Sequence, residues 1–319
     1  AAIAFMLVLA LTRAASADFH GLLHHARTKN LDGVRTLLEQ GADPNPPYES
    51  YDGYTPLMFA AGNGDAAMTR LLLEAGALTE LRDHNGERAL EWAARRAYAN
   101  HHADTPEAVR LLLEAGSPPD SDDDRYGVTP LMRACDYGGD IDLVRLLLDA
   151  GADVNRRDGG GSSALHRAAY YDSEIAGILL EAGADPDVRE TALGTTPLHR
   201  AATGGAAGNV RLLVAAGAET GPRQYRGETA LFVAAAHGHR DAVAALIGLG
   251  AEVDAAADSG LTPVLAAIAG GGDSARADYA GAALALAGHT ADIDRAFAAA
   301  LWQRRPAVAA LLAERGADA

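Results

Sequence analysis

A nine-residue phrase recurs along this chain and restricts what the chain can fold into. Its fullest copy runs from Gly194 to Ala202 and reads GTTPLHRAA. The residues equivalent to Thr196 in successive copies are Thr55, Arg88, Thr129, Ser163, Thr196, Thr229 and Thr262, and positions in the phrase are counted from this residue. These residues are separated by 33, 41, 34, 33, 33 and 33 positions. Because a fixed period of this size is typical of stacked copies of one small unit, we expect one elongated repeat domain instead of separate globules.

Each copy of the phrase has the chemistry of a helix start. The Thr196 hydroxyl can accept hydrogen bonds from the first free backbone N–H groups, and Pro197 suits the first helical position. Leu198, Ala201 and Ala202 then recur at i, i+3 and i+4 and form one apolar stripe. A helix this short cannot bury its stripe alone, so it needs a neighbour with the same face.

A second marker, a Leu-rich run that ends in glycine, accompanies each copy. The glycines are Gly76, Gly116, Gly151, Gly183, Gly217 and Gly250. Their position suits a left-handed residue after a helix, which glycine adopts at least cost. Each repeat is therefore predicted to contain a turn, a helix, a turn, a second helix, a glycine stop and an extended loop.

This pattern resembles the ankyrin repeat, with its 33-residue period and T-P-L-H-x-A signature. Residues 196–201 match that signature completely. The resemblance implies an all-α, ankyrin-repeat solenoid of stacked helix-turn-helix units with hairpin loops. We expect an N-terminal cap at residues 18–48, seven internal repeats at about 49–290, and a C-terminal cap at 291–319.

Two repeats depart from the pattern. Arg88 replaces the capping hydroxyl and alanine follows it instead of proline, so this helix is expected to start less firmly. The same repeat carries about seven extra residues around Tyr98–Thr105, between its helices. In the seventh repeat, the glycines at 270–272 and the weak segment Tyr279–Gly288 predict a blurred second helix.

The first 17 residues are predicted to be a secretory signal peptide. A nine-residue apolar run, Ile3–Leu11, precedes the small-residue sequence Ala15-Ser16-Ala17, which fits a cleavage site. A buried N-terminal helix is the alternative. Lys29 is the only lysine among 27 basic residues, and this bias is typical of a GC-rich bacterial coding sequence. We therefore expect a bacterial protein that is periplasmic or secreted.

The remaining composition argues against several functions. A formal charge of −16 disfavours nucleic acid and anionic membranes as partners. Cys135 is the only cysteine and is expected to be a small core residue. The resemblance implies that His166 and His199 brace hairpin loops. His101, His102 and Asp104 could supply metal ligands only with a further partner, so we expect no catalytic residues, no cofactor and no metal.

The resemblance also implies a concave binding face, lined by hairpin tips and the ends of the first helices. Seven of the ten tyrosines map to such positions, and tyrosine gives a large contact area at low entropic cost. The alternative is that these tyrosines pack loops against helices. The predicted partner-binding residues are Tyr51, Tyr54, Arg95, Arg96, Arg125, Tyr126, Tyr137, Tyr170, Tyr171, Tyr225 and Arg226.

Together these features predict a non-enzymatic, exported scaffold that binds a partner protein of unknown identity. The chain is expected to be monomeric and to have no membrane insertion after signal cleavage. Two alternatives remain for the exported protein: a secreted effector that engages host proteins, and a periplasmic stabiliser or chaperone of another exported protein. A metal-dependent hydrolase built on the insertion is a third possibility, which requires a convergent His and carboxylate cluster.

Overall fold

The computed structural model describes residues 19–45, 53–100, 105–120, 126–171, 174–270 and 278–316. Contacts divide the chain into two compact units, residues 1–159 and residues 160–319. The described ranges contain helices and turns with a single isolated β-bridge between Arg223 and Thr229, and no strand. The all-α prediction is therefore confirmed. The predicted signal peptide lies outside the described residues.

The N-terminal unit contains four helix pairs. Its helices are α1 (19–27), α2 (Leu31–Glu39), α3 (Pro56–Gly62), α4 (Ala66–Glu74), α5 (Ala89–Asn100), α6 (Thr105–Glu114), α7 (Pro130–Ala134) and α8 (Ile141–Asp149). The first helices α3, α5 and α7 pack on one another in order, and the second helices α2, α4, α6 and α8 do the same. The unit is thus a two-layer stack, as expected when each apolar stripe is buried by the next repeat.

The C-terminal unit contains five further pairs arranged in the same way. Its helices are α9 (Ala164–Tyr170), α10 (Ile175–Glu181), α11 (Pro197–Gly204), α12 (Ala207–Ala215), α13 (Ala230–Ala236), α14 (Arg240–Gly248), α15 (Pro263–Ala269), α16 (Tyr279–Ala287), α17 (Ile293–Trp302) and α18 (Pro306–Glu314). Odd-numbered helices stack on odd-numbered ones and even-numbered on even-numbered ones. The last pair covers α15 and α16, which is the place predicted for a cap.

The capping hydroxyls act as the sequence predicts except at Thr262, whose side chain makes no cap hydrogen bond to α15. Thr55, Thr129 and Thr229 each accept a hydrogen bond from the backbone N–H three residues later, at 3.1–3.2 Å. At Ser163 and Thr196, a histidine at the fourth position of the phrase completes a reciprocal capping box. These bonds satisfy donors that a helix leaves unpaired at its first turn.

The helix that begins after Arg88 corrects one prediction, which placed the extra residues between the helices. Its start lacks a hydroxyl cap, and the Glu91 carboxylate instead accepts the backbone N–H of Arg88 itself at 3.0 Å. The Glu91 residue is 1% exposed, so this bond is shielded from water. The extra residues partly lengthen the helix, because α5 has 12 residues and extends to Asn100. Residues 101–104, which include His101, His102 and Asp104, lie outside the described residues.

The seventh repeat corrects a second prediction, because its second helix is well formed. Helix α16 has nine residues and begins after Asp278, whose Oδ1 accepts the Gly281 N–H at 2.7 Å. Its buried face includes Leu286, which is fully buried. The prediction failed because small alanines allow this helix to be buried on several sides, and such a helix shows no single apolar stripe.

The predicted glycine stops are confirmed and have a conformational cause. Gly217 has a φ of 103° and Gly250 a φ of 83°, which are left-handed values that other residues adopt at a cost. A β-carbon at Gly217 would meet no atom within 4 Å. Backbone conformation, not crowding, therefore requires glycine there. Cys135 is fully buried, as expected of a core residue.

Candidate functional site

The hairpin tips and the C-terminal ends of the first helices form one side of each repeat, which we call the tip face. Backbone hydrogen bonds of 2.7–2.8 Å tie successive tips together. In the N-terminal unit, Gly159 N–H donates to the Tyr126 carbonyl. In the C-terminal unit, the donor–acceptor pairs are Thr191 to Gly160, Tyr225 to Leu193 and Asp258 to Arg226. The tips are thus ordered before any partner arrives.

Four of the predicted tyrosines are presented to solvent on the tip face. Their exposed fractions are 67% for Tyr126, 63% for Tyr137, 39% for Tyr170 and 60% for Tyr225. The Arg226 guanidinium lies 5.5 Å from the Tyr225 ring centroid, in a cation–π arrangement. These side chains are therefore available for contact with a macromolecule.

Tyr137 owes its exposure to an additional residue in its repeat. The Asp140 N–H returns to the Ala134 carbonyl, six residues back, whereas the equivalent Asp65 N–H returns five residues, to Ala60. The additional residue places Tyr137 at a φ of 57°, a left-handed value that is costly for a bulky side chain. A backbone outlier that holds an aromatic ring toward solvent favours a binding role.

Tyr54 and Arg95 instead belong to a packed aromatic cluster in the N-terminal unit. The Tyr54 ring lies 6.0 Å from Phe59, 5.4 Å from His84 and 5.5 Å from Trp92, measured between centroids. The Arg95 guanidinium lies 5.2 Å from the Trp92 ring and 3.1 Å from the Glu87 carboxylate. Tyr54 therefore packs a hairpin against helices, which is the alternative that the sequence left open for the tyrosines, whereas the Arg95 side chain remains 40% exposed.

Three predicted site residues cannot be placed. Tyr51 and Arg125 lie outside the described residues, as does the side chain of Arg96, which belongs to α5.

The tyrosine pair at the end of α9 is held from the following repeat. Tyr170 and Tyr171 contact each other edge to face, with centroids 5.0 Å apart. The Asn209 side-chain amide, on α12, lies within hydrogen-bonding distance of the carbonyls of Ala168, Ala169 and Tyr171. Asn209 is fully buried, so it closes the carbonyl end of α9 away from water.

Gly204 holds the same pair by close approach. A β-carbon on Gly204 would lie 1.9 Å from the Tyr170 carbonyl oxygen, so only glycine allows α11 to lie this close to α9. The orientation of the pair therefore depends on residues more than thirty positions downstream.

A half-open cavity of about 290 Å³ lies between the fifth and sixth repeats, within the C-terminal unit. Phe232, Val233 and Ala236 of α13 contribute apolar surface to it, and Leu193 of the fifth hairpin forms an apolar rim. Polar groups line the rest: Thr195, Arg200, Thr203, Gln224, Glu228 and His237. The lining joins hydrophobic and charged groups, as recognition sites do.

The two histidines at the fourth position of the phrase are structural. His166 Nε2 lies 3.0 Å from the Thr195 carbonyl oxygen, and His199 Nε2 lies 3.1 Å from that of Glu228. Burial lowers the pKa of His199 to about 4, although its hydrogen bond to the Glu228 carbonyl opposes the shift. Each ring joins its helix to the next hairpin, so the implied bracing role is confirmed.

The described residues contain no group of three or more side chains placed to hold a metal ion. None of the helices in the described ranges combines the length and apolar character needed to cross a bilayer.

The sequence did not reveal several residues that form the tip face or support it from beneath. Arg200 and Val233 occupy the variable fifth position of the phrase, and aligning that position across repeats would have identified them. Leu193 resembles an ordinary loop residue, and Asn209 lies in a second helix far from any tip. Only the stacking of repeats reveals the roles of these last two.

Comparison with known proteins identifies the repeats. The family model described as "Ankyrin repeats (3 copies)" matches residues 22–105, 165–257 and 198–296. The family model described as "Ankyrin repeats (many copies)" matches residues 112–168. A similar solved structure is the ankyrin repeat domain of Bcl-3, described as a unique member of the IkappaB protein family. It has a TM-score of 0.56 and 29% identity, over 68% of this chain and 95% of that chain.

Two eukaryotic relatives share parts of the chain. Human SH3 and multiple ankyrin repeat domains protein 2 is 34% identical over 179 residues, which are 56% of this chain and 9% of that protein. The Arabidopsis thaliana E3 ubiquitin-protein ligase KEG is 32% identical over 171 residues, which are 52% of this chain and 10% of that protein. The chain thus spans about a tenth of the length of either relative.

Proposed function

The chain belongs to the ankyrin repeat family, and we propose that it is a non-enzymatic scaffold that holds a partner protein on its tip face. Ankyrin repeats indicate a protein–protein interaction scaffold, and the proposal concerns which face is used and how. The observation that carries it is the exposure of Tyr126 and Tyr225 on hairpin tips that backbone hydrogen bonds link to neighbouring tips, and of Tyr137 and Tyr170 at the ends of first helices.

Rigid presentation is the proposed mechanism. The hairpin tips of the third to seventh repeats are each linked to a neighbouring tip through the backbone, and the buried His166 and His199 anchor hairpins to helices. Little conformational entropy is then lost when a partner binds, so more of the contact energy contributes to affinity. Tyrosine supports this role because it offers apolar area and a hydroxyl with few rotatable bonds.

The surroundings of His166 and His199 support a role without catalysis. A general base needs a lone pair or proton directed at a substrate. In His166 and His199, both ring nitrogens are instead within hydrogen-bonding distance of groups in the chain. The ligase activity in the name of one relative is not transferred here, because the match covers 10% of that protein.

Export is a further part of the proposal and rests on the sequence of residues 3–17 alone. The apolar run and the small residues at 15–17 support a cleaved signal. Expression of the full chain in a bacterium, followed by fractionation and N-terminal sequencing, tests this. A mature protein that begins at Asp18 in the periplasm is expected, whereas an intact chain in the cytosol would contradict export.

Partner capture tests the binding face. We expect the double variant Tyr126→Ala and Tyr225→Ala to abolish capture of the native partner from extract while leaving the thermal midpoint nearly unchanged, because both side chains are largely exposed. The matched control is Leu78→Ala with Leu212→Ala, which removes exposed apolar side chains from a loop and from helix α12. Equal loss of capture in both double variants, or retained capture in the tyrosine variant, would refute the tip-face assignment.

A further inference from the structure

The cavity between the fifth and sixth repeats has one acidic group that the chain holds in place. The Gln224 amide donates to Glu228 Oε2 at 2.9 Å, and the Thr195 hydroxyl donates to Gln224 Oε1 at 3.3 Å. The backbone of Glu228 is also fixed, because its carbonyl oxygen receives the His199 contact at 3.1 Å. Gln224 therefore orients the Glu228 carboxylate, and His199 of the preceding repeat fixes the Glu228 backbone.

The cationic group in the same lining is already neutralised. The Arg200 guanidinium contacts the Glu190 carboxylate, which is 8% exposed, and they form a hydrogen-bonded ion pair. Because Arg200 is paired, the Glu228 carboxylate gives the lining of the cavity a negative charge. The charge of −16 on the whole chain likewise attracts a cationic partner over longer distances.

The apolar part of the cavity complements this acidic group. Leu193 is 48% exposed at the rim, and Val233 and Phe232 lie below it with 3% and 6% exposure. Covering this surface with an apolar side chain removes Leu193 from water, which is favourable in proportion to the area buried. The cavity therefore offers an apolar contact and an anionic contact next to each other.

We propose that this cavity binds an extended segment of the partner protein that carries a large apolar side chain next to a lysine or arginine. The apolar side chain lies against Leu193 and Val233, and the cationic group pairs with the Glu228 carboxylate. This inference rests on the proposed scaffold function and specifies the chemistry of the partner at one position of the tip face.

Binding of synthetic peptides to the full chain tests the proposal. The probes are three fluorescein-labelled peptides of equal length in a Gly-Ser background. One carries a leucine flanked by lysines, one carries the same leucine flanked by glutamates, and one keeps the lysines but replaces leucine with serine. Fluorescence anisotropy should show the Leu-Lys peptide binding about tenfold more tightly than either other peptide.

Two substitutions assign the binding to the cavity. Glu228→Lys should reverse the preference in favour of the Leu-Glu peptide, and Leu193→Ser should weaken both leucine peptides about tenfold. Leu193 is largely exposed, so its replacement should not affect folding. The matched control is Glu252→Gln, which removes an exposed carboxylate away from the cavity and should leave the preference unchanged.

The outcomes separate this inference from the proposed function. Equal or tighter binding of the Leu-Glu peptide, or an unchanged preference in Glu228→Lys, overturns the inference and leaves partner capture by the tyrosines untouched. Failure of all three peptides to bind also overturns it. Dimerisation of the chain that Leu193→Ser abolishes would show a second copy in the cavity and would equally overturn it.

Discussion

The Nε2 atom of His199 lies 3.1 Å from the carbonyl oxygen of Glu228, in the hairpin of the next repeat. Since a carbonyl can only accept, Nε2 carries the hydrogen. Nδ1 accepts the Thr196 backbone N–H at 3.4 Å, so the ring is neutral. The residue is 1% exposed, and burial lowers its pKa to about 4 from an ordinary value of 6.5.

Acid should therefore destabilise the C-terminal unit through His199. A depressed folded-state pKa means that the unfolded chain binds the proton first, so the contribution is complete above pH 6.5 and is lost as the pH falls toward 4. We expect a loss of about 3 kcal/mol over this interval, at 1.36 kcal/mol per pH unit. Urea unfolding at a series of pH values measures it.

The controls for this prediction are two histidine variants. His199→Gln should be less stable at neutral pH but should show a flatter dependence between pH 6.5 and 4. His237→Gln, at an exposed position, should keep the wild-type slope. A wild-type slope in His199→Gln would place the acid sensitivity elsewhere.

Gly204→Ala should destabilise the protein by about 3 kcal/mol, because its β-carbon would collide with the Tyr170 carbonyl and separate α9 from α11. Gly177→Ala is the control, since it also lies in a helix but its β-carbon meets no atom within 4 Å. That substitution should stabilise the chain by about 0.5 kcal/mol. Denaturant midpoints compare the two, and equal effects would argue against a close approach at Gly204.

Asn209→Ala should cost about 2 kcal/mol, because it leaves buried carbonyls at the end of α9 without their donor. The control is Thr69→Ala, which is equally buried but bonds only to the Asp65 carbonyl in its own turn, at 2.8 Å. This change should cost less than about 1 kcal/mol. Near-ultraviolet circular dichroism should also change in Asn209→Ala, since the Tyr170 and Tyr171 rings lose their fixed position. An unaltered spectrum would show that Asn209 does not orient the pair.

Truncation after Ala291 should cause aggregation. Removing α17 and α18 exposes the faces of α15 and α16 that they cover. Capping repeats are required for the solubility of stacked-repeat proteins. A chain truncated after Gly316 is the control and should remain monodisperse by size-exclusion chromatography. A soluble, fully helical truncation at Ala291 would refute the cap assignment.

The sequence was sufficient for the architecture because that information is local. Thr196 and Pro197 specify a helix start, and Gly217 specifies a stop, through backbone preferences that do not depend on the rest of the fold. Where the local pattern was weak, two predictions were wrong. Residues 98–100 continue helix α5 instead of lying between helices, and the alanines of α16 are buried without a clear apolar stripe.

The candidate site was predicted less completely, since residue type alone does not reveal exposure. Tyr126 lies three residues before its capping residue Thr129 and is 67% exposed, whereas Tyr54 immediately precedes Thr55 and packs on Trp92. The exposure therefore depends on the position within the hairpin and on the side chains that this position meets. Arg200 and Leu193 were missed because they contribute to a cavity that exists only between two stacked repeats.

The sequence by itself determined the repeat period, the helix starts and stops, the bracing histidines and the family. Tertiary structure alone decided which tyrosines face solvent, which residues hold the Tyr170–Tyr171 pair, and where a cavity opens around Glu228. The physical reason is range. Caps and turns are formed by residues a few positions apart, whereas exposure and cavities arise from contacts between repeats, about thirty residues apart in the chain.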